Sequence, residues 1–163
     1  MTYLITFSCY GSHLHGDESG SVDRNHNVPG HRLAEADEER ASRERLLMDQ
    51  APYLLSAPNR ATVLEAMQEV CSHRQWTLLA AHVRTNHAHS VVEADAKPER
   101  VMIDFKSYAS RRLNETSTDG WNRKRWTRHG SMRWLWNRDE IAAAIRYVVE
   151  EQGETMAVWV GEA

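Results

Sequence analysis

Trp76-Thr77-Leu78-Leu79-Ala80-Ala81-His82-Val83-Arg84, a break at Thr85-Asn86, and then His87-Ala88-His89-Ser90-Val91-Val92-Glu93-Ala94 decide how this chain is read. The runs 76–84 and 88–94 have the length and apolar content of strands, and the break predicts a hairpin or a bent strand. Side chains of a strand alternate between faces, so His87 and His89 point the same way while Ala88 turns into the core. Two imidazoles on one face make half of a metal site, because imidazole is the commonest nitrogen ligand for divalent cations. The other reading is a pair of half-buried histidines.

Outward from this stretch, residues 2–10 read as a strand, and a turn-rich segment runs from Gly11 to about Gly30. Residues 33–48, dense in Glu and Arg, predict a solvated helix. Pro58 opens a helix to about Arg74, with Val63, Leu64, Met67, Val70 and Cys71 on one face. Pro98 opens a second, striped by Val101, Met102, Phe105, Tyr108, Ala109 and Leu113. Residues 114–131 are polar and basic without a period. Residues 132–136 suggest a strand, 139–152 a third helix capped by Asn137 or Asp139 and ended by Gly153, and 156–160 an edge strand. The order predicts an α+β sandwich, one antiparallel sheet with helices on one face. The whole chain, 1–163, reads as one domain with a variable insertion at about 11–56.

With 163 residues, 41% apolar and 26% charged, the composition is that of an ordinary globular protein. The net charge of −3 carries no global sign of nucleic-acid binding, but residues 101–137 hold eight Lys/Arg against three Asp/Glu, a local +5. Cys9 and Cys71 fit neither a zinc spacing nor a disulfide framework, so a reducing cytosol is the default. No signal peptide or membrane span is expected.

The third helix carries the second half of the argument. Its apolar stripe is Ile141, Ala144, Ile145, Val148 and Val149, and Tyr147 lies off it, with Ala143 and Glu151 one turn away on either side. A tyrosine hydroxyl can attack phosphorus where a cation offsets developing charge, and a carboxylate one turn on could reach that cation. On helical geometry alone, Tyr147 can equally be an exposed helix tyrosine and Glu151 a solvated charge. His13-Leu14-His15-Gly16-Asp17 is a competing His-x-His in turn-like surroundings. Arg123, Lys124, Arg125, Trp126 and Arg128 alternate cations with indoles, as do Trp121 and the continuing Arg111 and Arg112. Cations neutralise phosphates and indoles stack on unpaired bases; the alternative is a solvated loop covering the core edge. Of Trp134 and Trp136, at least one is expected in the core. His73, His82 and His129 read as surface or packing residues.

The segment Asn86-His87-Ala88-His89 resembles the His-hydrophobe-His motif of the single-tyrosine transposases of small insertion sequences, and of the REP-associated tyrosine transposases. In that family the next helix carries a lysine, matched by Lys106, and a last helix bears the nucleophile in a Tyr-(Ile/Val)-x-x-Gln pattern. Arg146-Tyr147-Val148-Val149-Glu150-Glu151-Gln152 is similar. The resemblance covers about residues 60–153 and implies a ferredoxin-like or RRM-like sheet. It implies Mg²⁺ or Mn²⁺ held by His87, His89 and Glu151 or Gln152, and attack by Tyr147 on single-stranded, hairpin-containing DNA to leave a 5′-phosphotyrosine. It further implies a homodimer and a cytoplasmic, nucleoid-associated protein. The glutamine here falls five residues after the tyrosine instead of four, about 140° around a helix at 100° per residue, so Glu151 is expected to be the better-placed ligand. Two other functions fit the same residues: a domesticated, non-catalytic hairpin-binding protein, and a metal-dependent phosphodiesterase that uses water.

Overall fold

Alternation along β1 (Thr2–Cys9) divides the molecule into two layers. Tyr3, Ile5, Phe7 and Cys9 are buried on one face, and Leu4 packs on the other. The computed structural model describes residues 1–12 and 48–162; the expected helix at 33–48, apart from Met48, and the His13, His15 and Asp17 cluster lie outside them. Among the described residues, β2 (Thr77–Val83), β3 (His87–Glu93), β4 (Trp126–Leu135) and β5 (Ala157–Val160) join β1 in one sheet of order β4-β1-β3-β2-β5. Every pairing is antiparallel. The break at Thr85-Asn86 is a hairpin, closed by the Arg84 amide on the His87 carbonyl at 2.8 Å.

Helix α1 (Ala57–Arg74) starts at Ser56, whose hydroxyl accepts from the Asn59 amide, and stops at Gln75 in the left-handed region, φ 60°. Helix α2 (Pro98–Thr116) buries Val101, Phe105, Ala109 and Leu113. Both cover the Tyr3–Phe7 face and form the main core with Val63, Met67 and Val70. Asp104 joins the two helices, paired with Arg74 and with Arg100 at 3.0 Å each.

Helix α3 (Arg138–Glu150) lies on the opposite face. Its expected stripe is the packed one: Ala144 and Val148 are buried against Ala80, Val91 and Leu135, flanked by Ile141, Ile145 and Val149. The α+β sandwich is as the sequence predicts, with the helices shared two and one between the faces rather than gathered on one. The reason is legible in β3, where Val91 and Val92 are both fully buried, so both sheet faces need a cover. Asn137 caps α3 by accepting from the Glu140 amide at 2.9 Å, and the Glu140 carboxylate returns to the Trp136 amide at 2.7 Å.

Strand β4 is twice as long as expected. Its first half, Trp126–Gly130, lies on the sheet edge, is nowhere fully buried and shows no alternation of apolar and polar residues. Cys9 and Cys71 are free and buried, and burial pushes both thiols up to about 12. No helix among the described residues is long and apolar enough to cross a membrane.

Candidate active site

Strand register assembles the site. His89 on the central strand lies opposite Thr6 of β1 and His82 of β2, and His87 lies opposite Ser8. All share the face covered by α3. The Thr6 hydroxyl meets His89 Nδ1 at 2.7 Å, and His87 Nδ1 donates to Asn86 Oδ1 at 2.7 Å. The two rings meet edge to face with centroids 4.7 Å apart. With Nδ1 of each ring held by an oriented oxygen, Nε2 is the atom each can offer to a cation, and the partner oxygens fix the ring angles. A hydroxyl can donate or accept, so Thr6 serves either tautomer of His89.

His89 is only 5% exposed. Burial, and after it the charge of His87, pushes its pKa down to about 3, so the ring is held neutral as a metal ligand must be. The sign of the consequence is definite for metal-free protein. The folded value lies below the ordinary 6.5, so protons favour the unfolded chain, and stability falls as pH drops from about 6.5 toward 3. Burial lowers His82 as well, in the same direction. Urea titrations in chelator should show a lower midpoint at pH 5 than at pH 7.5, with part of the gap lost in His89→Gln. Equal midpoints would mean that the ring is not held neutral.

Helix α3 brings Tyr147 to this pair within the same chain. Its ring meets the His89 ring edge-on, centroids 5.4 Å apart, and remains 39% exposed. Val148, the next residue, is fully buried against the sheet, which turns Tyr147 to the flank of the helix above His89.

The end of the third helix is a correction. The sequence favours Glu151 over Gln152 by continuing the helix to about 152, but α3 ends at Glu150. Glu151 is its cap, at φ −103° and ψ 16°, and Gly153 follows at φ +81°. Helical phase therefore does not extend past Glu150. The turn swings the Gln152 side chain back toward His89, and its Nε2 donates to the Tyr147 carbonyl at 2.9 Å. Glu151 is exposed, and among the described residues no three His, Cys, Asp or Glu side chains converge as a metal cluster.

The basic residues are more occupied than the sequence implies. Lys106 is partly buried and donates to the Thr127 and His129 carbonyls at 2.9 and 3.3 Å, tying α2 to β4. Arg112 pairs with Glu65 and Glu69, and Arg111 lies over the Tyr108 ring. Arg123 donates to Gln50 Oε1 and the Ala51 carbonyl, and Lys124 pairs with Asp49. Arg125 is buried on Asn114 Oδ1 at 2.7 Å. The Trp126 indole donates to Ser110 and to the Lys106 carbonyl and packs edge-on to Phe7. Arg111 and Arg128 are exposed, and a cavity of about 500 Å³ opens beside Tyr10, Lys124, Trp126 and Arg128. Neither Trp134 nor Trp136 is in the core; their rings stack in parallel on the surface, centroids 5.5 Å apart.

Two residues beside the histidine pair carry no functional role in the sequence reading. Thr6 orients His89. His82, read there as an ordinary packing or surface residue, is fully buried; its Nδ1 donates to the Val148 carbonyl and its Nε2 accepts from the Met156 amide, both at 3.0 Å. The available signal is a lone imidazole inside the apolar run of β2.

Comparison with known proteins bears on the fold and the family. No curated protein sequence matches the chain. The solved structure of a REP-associated tyrosine transposase bound to a REP hairpin is similar in fold, with a TM-score of 0.50 at 10% identity. The likeness covers 92% of this chain and 65% of that one, so the chain spans about two-thirds of its length. The family profile described as IS200-like transposase matches residues 52–151, a span that contains both histidines, Tyr147 and the whole of α1, α2 and α3. With well over half of its length matched, the chain belongs to the IS200-like transposase family.

Proposed function

We propose that this protein cleaves and rejoins single-stranded DNA with Tyr147 as the nucleophile. The observation that carries the reading is the Tyr147 ring packed on His89, one of two adjacent histidines with Nδ1 pinned, in a single chain. Family membership supports DNA as the substrate, and the REP hairpin bound by the structural neighbour supports hairpin-containing ends.

The chemistry balances without an external energy source. Tyr147 Oη forms a bond to phosphorus, the bond from phosphorus to the 3′ oxygen breaks, and the hydroxyl proton passes to the leaving oxygen or to solvent. A 5′-phosphotyrosine and a free 3′-hydroxyl result. A 3′-hydroxyl then attacks the phosphotyrosine and Oη recovers its proton. His87 and His89 fit a divalent cation, as does Gln152, whose Nε2 is held by the Tyr147 carbonyl so that Oε1 remains for the site. Bound there, Mg²⁺ or Mn²⁺ would supply charge stabilisation to the phosphate oxygens. His89 would hold its ring neutral for that purpose, and α3 would hold Oη beside the pair. A homodimer is part of the proposal, and because Tyr147 meets the histidines of its own chain, each subunit would carry its own nucleophile. Arg111 and Arg128 are the exposed cations suited to phosphate contact.

The test is incubation with a 5′-tailed single-stranded hairpin oligonucleotide and Mn²⁺, followed by a denaturing gel. A covalent adduct that disappears with EDTA is expected. Cleavage without an adduct would assign water as the nucleophile, and binding with neither would assign a non-catalytic binding protein. In the same assay Gln152→Ala should slow adduct formation on the order of 10- to 100-fold, the size typical of a metal-site defect, and Glu151→Ala much less. The opposite ranking would return the third-ligand role to Glu151.

A further inference from the structure

We infer that His82 is a positioning residue that latches the tyrosine helix onto its own chain's histidine pair. The inference rests on the reading of Tyr147 as nucleophile. A helix C-terminus leaves its last four carbonyls without helical partners. In α3 the Tyr147 carbonyl takes the Glu151 amide at 3.3 Å and the Gln152 side chain at 2.9 Å. The Val148 carbonyl takes His82 Nδ1. The other ring nitrogen holds the Met156 amide, just before the chain enters β5. One imidazole thus ties together both ends of the connection that carries Gln152.

The neighbours of His82 in β2 and its hairpin reinforce the grip. Arg84 Nη1 donates to the Glu154 carbonyl at 2.6 Å, and the Thr85 hydroxyl reaches Met156 Sδ at 3.7 Å. His82 also lies opposite His89 in the β2–β3 register. The strand pair that presents the ligand therefore also presents the latch. Fixing the Val148 carbonyl fixes the rotation of α3, and with it the direction of Tyr147, 100° away around the helix. An apolar residue at 82 would fill the core equally well but leave a carbonyl and an amide unpaired. Misplacing a reacting group by about 1 Å can cost on the order of 100-fold in rate.

The two hydrogen bonds can be separated. Asn in place of His82 puts a donor near the Nδ1 position and can keep the Val148 bond. Gln puts an acceptor near the Nε2 position and can keep the Met156 bond. The full chain is assayed for single-turnover adduct formation on the 5′-tailed hairpin oligonucleotide with Mn²⁺, for DNA affinity, and for urea stability. Amide exchange in the last turn of α3 is followed alongside. His82→Asn should stay within about tenfold of the parent, while His82→Gln and His82→Ala fall on the order of 100-fold at unchanged DNA affinity. Exchange should quicken in Gln and Ala and not in Asn. Rates that merely follow urea stability, or a Gln variant at least as fast as Asn, would overturn the latch. If the parent forms no adduct, the nucleophile reading fails by itself and exchange alone decides: protection kept in Asn and lost in Gln upholds the latch, and equal protection removes it.

Discussion

Tyr147→Phe should abolish the covalent protein–DNA adduct, a loss on the order of 10³-fold or more, while the protein stays folded and still binds the hairpin. The substitution removes one oxygen atom. The ring contact with His89 at 5.4 Å is made by the aromatic system, which phenylalanine keeps, and the apolar side of α3 is untouched. A melting temperature close to the parent's would show that chemistry alone has been lost. An undiminished adduct would take the nucleophile away from Tyr147. Tyr108 is a natural control: it sits against the main core, with the Arg111 guanidinium over its ring, and its replacement by phenylalanine should leave the adduct in place.

Loss of the histidine pair should be as severe. His87→Ala and His89→Ala should each lower Mn²⁺-dependent cleavage on the order of 10³-fold, since each removes a nitrogen that no neighbouring group replaces. The two differ in what else they disturb. His87 is half-buried at the hairpin end, so its removal should scarcely alter stability. His89 is buried between Thr6 and Tyr147, and its removal leaves a hole and an unpaired hydroxyl, so His89→Gln is the fairer comparison. Thr6→Val isolates the orienting oxygen and should cost about 10- to 100-fold with both nitrogens present. Rates are measured against Mn²⁺ concentration; a His87→Ala enzyme that still cleaves at parental speed would sink the metal assignment.

The parts of this protein that follow a strict period are legible in its sequence. The β2–β3 hairpin, the common face of His87 and His89, and the stripe Ile141–Val149 all follow from periods of two and 3.6 residues. What escapes depends on contacts far along the chain. Arg123 and Lys124 look like free cations because their partners, Gln50 and Asp49, lie more than seventy residues earlier. His82 looks like packing because its role needs the β2–β3 register and the end of α3 at once. The length of α3 fails by two residues, and those two decide where the Gln152 side chain turns. A helix stops where a turn finds better partners, here through Gly153 and the two carbonyls capped by Gln152 and His82, and no local pattern encodes that competition.

Gln152 touches the Tyr147 carbonyl with one end of its amide and lies beside His89. A single planar group therefore lies between the helix end and the histidine pair. If a cation binds beside His89 as proposed, thermodynamic reciprocity follows: whatever orders the end of α3 would tighten its binding, and its binding would order the end of α3 by the same factor. On the proposed function, charging the site and aiming Tyr147 would then form one equilibrium, and a half-assembled centre, with ion but without aimed tyrosine, would be disfavoured from both sides.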